Sequence, residues 1–480
     1  MKKLLAMAVV AAMISCKQET KETDKTTAQV ENKTKDNKVI QPISNEVLET
    51  AVIYEANIRQ YSKEGTFDAF TKDIPQLKEL GVKIIWLMPV FPISETKRKA
   101  TGGKDSKFAS EFPEEERAKY LGSYYAVSDF KKINPEFGTI EDFRKLVKTA
   151  HDNGIYVILD WVPNHTGWDH TWLTTNSDFY TKNDKGEVIH PEGTDWTDVA
   201  DLNYDNPELR KEMISDMSYW ITKENIDGFR CDVAGSVPTA FWQEAVPQLR
   251  KLKDIFMLAE AWEPELLEGN LFDMGYGWDR HHTMNHIAKG EENVMAWHKN
   301  SSKDVARYEK DDILMTFVTN HDENSWNGTI EERMGESAGL FTTLSYLVPG
   351  MPLIYSGQEY GLNHRLKFFE KDSIPKTKGK EWSLLKKLAE LKQSNKALHG
   401  GKEKARYTVM IVESDDILAF RKEKEEDEVV FIGNLSKEKQ SLKIGIDGDY
   451  VDYFSGKVFN FKTNYKFNLS PWQFHVLVKK

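Results

Sequence analysis

At 480 residues the chain is too long for one ordinary domain and implies two or three. A hydrophobic fraction of 40% and a charged fraction of 29% describe a soluble globular protein. The formal net charge of −11 argues against nucleic acid as a partner, because a phosphate-binding surface needs a positive field.

In chain order, Lys2 and Lys3 precede an apolar run from Leu4 to Ile14 that is too short to span a bilayer. The run ends Met13-Ile14-Ser15-Cys16, which resembles the lipobox of bacterial lipoproteins. That resemblance implies cleavage before Cys16, lipidation of Cys16, and a membrane-anchored place in the bacterial cell envelope. Residues 17–47 are mostly Lys, Glu, Thr, Asn and Asp, which cannot bury enough surface to offset their ordering entropy. They read as a disordered tether. The second cysteine, Cys231, lies in an apolar run, so no disulfide is expected.

From residue 48 to 398, apolar strand-like runs alternate with longer helical patterns, the signature of βαβ units and a parallel sheet. Candidate strands begin at Val52, Val82, Ile155, Gly228, Phe256, Leu271, Ile313 and Met351. Runs such as Ile84-Ile85-Trp86-Leu87-Met88 are apolar on both faces, as parallel strands covered by helices should be. Eight such units predict a closed (β/α)8 barrel with insertions, and no G-x-G-x-x-G follows the first strand to favour an open doubly wound sheet. A polar stretch over 163–205 is the place for a small inserted domain, and 97–119 reads as a mobile flap over the C-terminal face of the barrel. From 399 to 480, short alternating runs separated by Gly, Asp, Asn and Lys predict an antiparallel β-sandwich.

Polar residues at the C-terminal ends of barrel strands converge on one cleft. Four segments qualify: Asp160 with Asn164-His165, Arg230 with Asp232, Glu260, and Asn320-His321-Asp322. Singly, each Asp is as readily a helix cap. Carboxylates and histidines gathered at one end of one barrel cost desolvation energy, which a protein tolerates mainly for function.

In order and content these segments resemble the four sequence regions of the α-amylase superfamily, glycoside hydrolase family 13. Asp160-x-x-x-Asn164-His165 is similar to the first, Gly228-Phe229-Arg230-x-Asp232 to the second, Glu260 to the third and Asn320-His321-Asp322 to the fourth. Val199-Ala200-Asp201-Leu202-Asn203 and the Tyr125 segment resemble two further motifs of the family. The resemblance implies retaining hydrolysis of α-1,4-glucans, with Asp232 as nucleophile, Glu260 as acid and base, and Asp322 gripping ring hydroxyls. Tyr125, His165, Arg230 and His321 would contact substrate or, for Arg230, keep Asp232 ionised. Asp160 would brace Arg230. A transglycosylating or isomerising enzyme carrying the same residues, or a non-catalytic glucan-binding protein, are the alternatives.

Two departures bear on metal and specificity. Many α-amylases carry Lys-His where this chain has Gly235-Ser236, so the family's calcium site is in doubt and no required metal or cofactor is expected. Asp232-Val233-Ala234 is closer to the second region of neopullulanases and cyclomaltodextrinases, which accept both α-1,4 and α-1,6 bonds.

Overall fold

A computed structural model describes residues 40–480. The expected cleavage and lipidation site at Cys16 and most of the expected tether lie outside them. Residues ahead of the expected boundary at 47 already pack on the barrel. Helix α1 (Asn45–Thr50) is capped by Ser44, and Ile40, Ile43, Val47 and Leu48 pack against the barrel.

Eight parallel strands close a barrel: β1 (Ile53–Ala56), β2 (Ile84–Leu87), β3 (Tyr156–Trp161), β4 (Gly228–Cys231), β5 (Phe256–Ala259), β6 (Met274–Tyr276), β7 (Ile313–Thr316) and β8 (Met351–Tyr355). The alternation of side chains along each strand explains why the runs are apolar throughout. Ile53, Ile84, Trp86, Ile158, Leu258, Met315 and Leu353 fill the interior, while Tyr54, Ile85, Leu87, Val157, Leu159 and Met257 pack outward against the helices. Every strand residue of β1 to β5 is buried. Gly228 opens β4 where no side chain fits: a Cβ there would lie 1.9 Å from the carbonyl oxygen of Phe256 on β5.

The same parity carries function to the mouth. Glu55 follows Ile53, Asp160 follows Ile158, Arg230 and Asp232 follow Gly228, and Glu260 follows Leu258, all on the interior side. The register between β3 and β4 sets Asp160 opposite Arg230.

The excursion over 163–205 is held by a short antiparallel pair, His165–Gly167 with Val199–Asp201. Beyond the barrel, a six-stranded antiparallel sheet packs one face on helices Trp278–Lys289 and Ala338–Leu347. Its other face meets a two-stranded sheet, Gln440–Ile444 with Tyr465–Leu469, across a core of Ile417, Val430, Ile432, Leu442, Phe467 and Leu469.

Candidate active site

The centre of the mouth is a single guanidinium. Arg230, fully buried, donates from Nη1 to Asp160 (2.8 Å) and to Asp232 (2.9 Å). Its Nη2 lies 2.8 Å from Oε2 of Glu260, an ion pair rather than an aligned hydrogen bond. The cation also sits 4.9 Å from the ring centre of Trp86. One planar fork thus pins Asp232 and Glu260 to neighbouring nitrogens, so the two carboxyl groups face the cleft side by side.

Glu260 Oε2 also accepts the backbone N–H of Val233 at 2.8 Å. Val233 sits at φ 38°, a left-handed conformation that a β-branched residue rarely adopts. The strain aims an amide at the carboxylate, a placement common at functional sites.

Across the mouth, His321 is sandwiched between acids. Its Nδ1 bonds Glu55, and its Nε2 lies 2.8 Å from the Tyr125 hydroxyl and 3.3 Å from Asp322. Burial opposes a charged ring there, but Asp322 and Glu55 outweigh it and hold the imidazole up to about 9. The ring is therefore a cation at neutral pH with both nitrogens committed. His165, buried without a facing carboxylate, is pushed down to about 4 and stays neutral.

The acids move the other way from what the Arg230 pairing alone implied. Burial pushes Asp232 well above its usual range, with Glu260, Asp160 and Asp322 adding to the push and Arg230 opposing it. Asp160 is raised to about 6, again by burial against Arg230. Asp322 and Glu55 are raised for the same first cause. Arg230 does favour the ionised form of Asp232, as expected, but burial and the neighbouring acids outweigh it.

The residues singled out in the sequence come together. Asp232, Glu260, Asp322, Tyr125, His165 and His321 all line one cavity of 550 Å³. Arg230 lies beneath it rather than on its surface, so its partners are the carboxylates and not a ligand. Sequence reasoning missed Glu55, Lys99, Trp196, Trp326, Phe368 and Phe369. A lone Glu within the apolar run Ile53-Tyr54-Glu55-Ala56 was the one available signal; the rest sit on loops.

The His321 pair makes a pH prediction. A histidine held at about 9 against roughly 6.5 in an unfolded chain contributes stability that is fully present below 6.5 and lost as pH rises through 9. The contribution is about 3 kcal/mol, so the urea midpoint should fall between pH 7 and 9.5. Glu55→Gln removes one partner and should flatten that fall; an identical slope in the variant would refute the assignment.

A closed parallel barrel with acids and a buried arginine gathered at its C-terminal mouth is the architecture of a barrel enzyme. The family profile for the alpha-amylase catalytic domain matches residues 22–410. The chain belongs to the alpha-amylase family. An alpha-amylase of Haloarcula japonica is 26% identical over 424 residues, covering 85% of this chain and 59% of its own length. A 4-alpha-glucanotransferase of Thermotoga neapolitana is 29% identical, covering 64% of this chain and 71% of its own. A maltogenic alpha-amylase of Thermotoga neapolitana superposes with a TM-score of 0.79 at 25% identity, covering 91% of this chain and 99% of that one. The chain spans about three fifths of the length of the first of these relatives.

Proposed function

We propose that the protein hydrolyses α-1,4-glucosidic bonds in starch-like glucans with retention of anomeric configuration. The observation that carries this reading is the Arg230 fork. Retention needs carboxyl groups about 5–5.5 Å apart, close enough for one to attack the sugar, whereas inversion leaves room for a water between them. Two carboxylates held against adjacent nitrogens of one guanidinium, one by a hydrogen bond and one as an ion pair, fit the closer spacing.

Asp232 attacks the anomeric carbon while Glu260 gives its proton to the departing glycosidic oxygen. Burial makes an ionised Asp232 costly, and bond formation to the sugar discharges it, so the site favours the step that consumes the charge. Glu260, now ionised beside Arg230 and the Val233 amide, takes a proton from water, which releases the sugar from Asp232. Asp322, with 37% of its side chain open to the cleft, grips ring hydroxyls, braced by the His321 cation.

The experiment is a time course on maltoheptaose, pullulan and cyclodextrin, with product anomers followed by NMR. Release of α-configured maltose and glucose from maltoheptaose supports the reading, and β-configured products would sink the retaining mechanism. Release of panose from pullulan would extend the specificity to the neopullulanase type suggested by Val233-Ala234. The glucanotransferase relative favours one second reading, transfer of the glycosyl unit to another sugar instead of water. Products longer than the substrate at high maltotriose would reveal it.

No metal is required in this proposal. Asn164, which the family resemblance would make a calcium ligand, turns its amide to Nδ1 of His165 at 3.2 Å. Activity should survive EDTA, and a loss restored by calcium would overturn this. Lipid anchoring through Cys16 is part of the proposal too. Among the described residues no helix is long and apolar enough to cross a membrane. Cys16→Ser should abolish incorporation of labelled palmitate and move the protein to the soluble fraction; retention at the membrane would refute the anchor.

A further inference from the structure

The stretch over 97–119 is not the free flap expected from its charge and glycine content. It is strapped at both sides of the mouth. On the side of the inserted segment, Lys99 Nζ donates to the Asp195 carbonyl and pairs with Asp198 at 3.6 Å, both side chains nearly inaccessible (6% and 7% exposed). The backbone amides of Glu95 and Thr96, at its root, bond Asp169, and the Lys97 ammonium lies 3.5 Å from the ring centre of Trp168. A buried ion pair is expensive to form and costly to break from one side, so Lys99–Asp198 works as a latch.

At the opposite side, Gly102 lies flat against Trp326. A Cβ on Gly102 would sit 2.7 Å from the outer edge of that indole, so a larger residue there would push the half-exposed ring aside. Just past the strap, Leu121 N bonds the Phe369 carbonyl at 2.7 Å and Tyr120 bridges Glu370. Trp326 is carried by a π-turn, Glu323–Asn327, that starts directly after Asp322.

The strap thus runs from the inserted segment to the loops beyond β7 and β8, and Lys99, Gly102 and Gly103 form part of the cavity wall. Trp196 walls one side and Trp326, Phe368 and Phe369 the other. A cavity of 550 Å³ matches one drug-sized ligand, in sugar terms roughly two to three rings.

We infer that the strap over 97–119 makes the site a blind pocket that takes the end of a glucan chain, so the enzyme acts on short maltooligosaccharides and chain ends rather than on internal bonds of a polymer. This rests on the hydrolase reading above and goes beyond it by fixing the mode of attack. An internal segment would have to continue past the wall that Lys99, Gly102 and Gly103 form between the two ties.

The test follows two signals on soluble amylose: reducing ends released, and loss of blue iodine colour. Cutting at chain ends leaves long helical segments, so colour should fall several-fold more slowly, per bond cut, than with acid hydrolysis at random positions. Colour collapsing as in the acid control would overturn the inference while leaving the hydrolase reading intact. Absence of reducing ends from amylose and maltoheptaose alike would sink the hydrolase reading itself. Lys99→Ala releases the latch and should raise colour loss per cut several-fold, with thermal unfolding confirming a folded variant. An unchanged ratio in that variant would refute the latch.

Discussion

Asp232→Asn is expected to yield a folded protein that turns over maltoheptaose at least about 10⁴-fold more slowly than the parent. The amide matches the carboxylate in shape and keeps an oxygen for the 2.9 Å Arg230 Nη1 bond. It also removes a charge that burial and three neighbouring acids already penalise. The melting temperature should therefore hold or rise while catalysis disappears, because an amide nitrogen or oxygen cannot form and release the glycosyl bond as a carboxylate does. Measuring kcat beside thermal unfolding separates the two effects. A variant keeping more than about a hundredth of the parent kcat would remove Asp232 from the nucleophile's role.

Arg230→Met should damage both stability and activity, and the damage should depend on pH. The arginine is the shared counter-charge of Asp160, Asp232 and Glu260, with no exposed surface of its own. Its loss leaves two buried carboxyl groups, Asp160 and Asp232, and the partly buried Glu260 without their counter-charge, a defect of about 3–5 kcal/mol at neutral pH. Protonation relieves it: Asp160, already at about 6 with the arginine present, would rise further, so the deficit should shrink at pH 5. Urea unfolding at pH 7 and pH 5 reads this directly. Equal deficits at both pH values, with activity retained, would mean the guanidinium is a packing element only.

How far the sequence spoke depended on the length scale of the signal. The eight barrel strands announce themselves because both faces of each are covered, and the polar residues at their ends stand out against that background. Strand β6 begins at Met274 rather than Leu271, since Leu271 and Phe272 belong to the turn before it. In the C-terminal domain, Gln440–Ile444, Val458–Phe461 and Tyr465–Leu469 escaped notice. Each offers only two buried residues between exposed polar ones, as in Ser441-Leu442-Lys443-Ile444. Helix α1 was absorbed into the tether because six residues with two apolar side chains form a helix only when tertiary packing supplies the stability. The loop-borne part of the site was illegible for a related reason. Nothing local marks Lys99 as the partner of Asp198, or Gly102 as the seat of Trp326. The upward push on Asp232 was not legible because the acids could be listed from sequence but their burial around it could not.

The packing of α1 divides the first described residues into two zones of different sensitivity to proteases. Leu48 seals the interior core from below, while Glu49 receives the amides of Gly401 (3.1 Å) and Glu403, tying the barrel to the C-terminal domain. A cut ahead of Ile40 leaves all of these contacts in place. A cut after Ser44 removes a helix cap worth about 1 kcal/mol and the apolar contacts of Ile40 and Ile43 with it. The harmless cut and the destabilising one are therefore separated by a few peptide bonds, and which one a protease achieves depends on how closely it can approach the barrel floor.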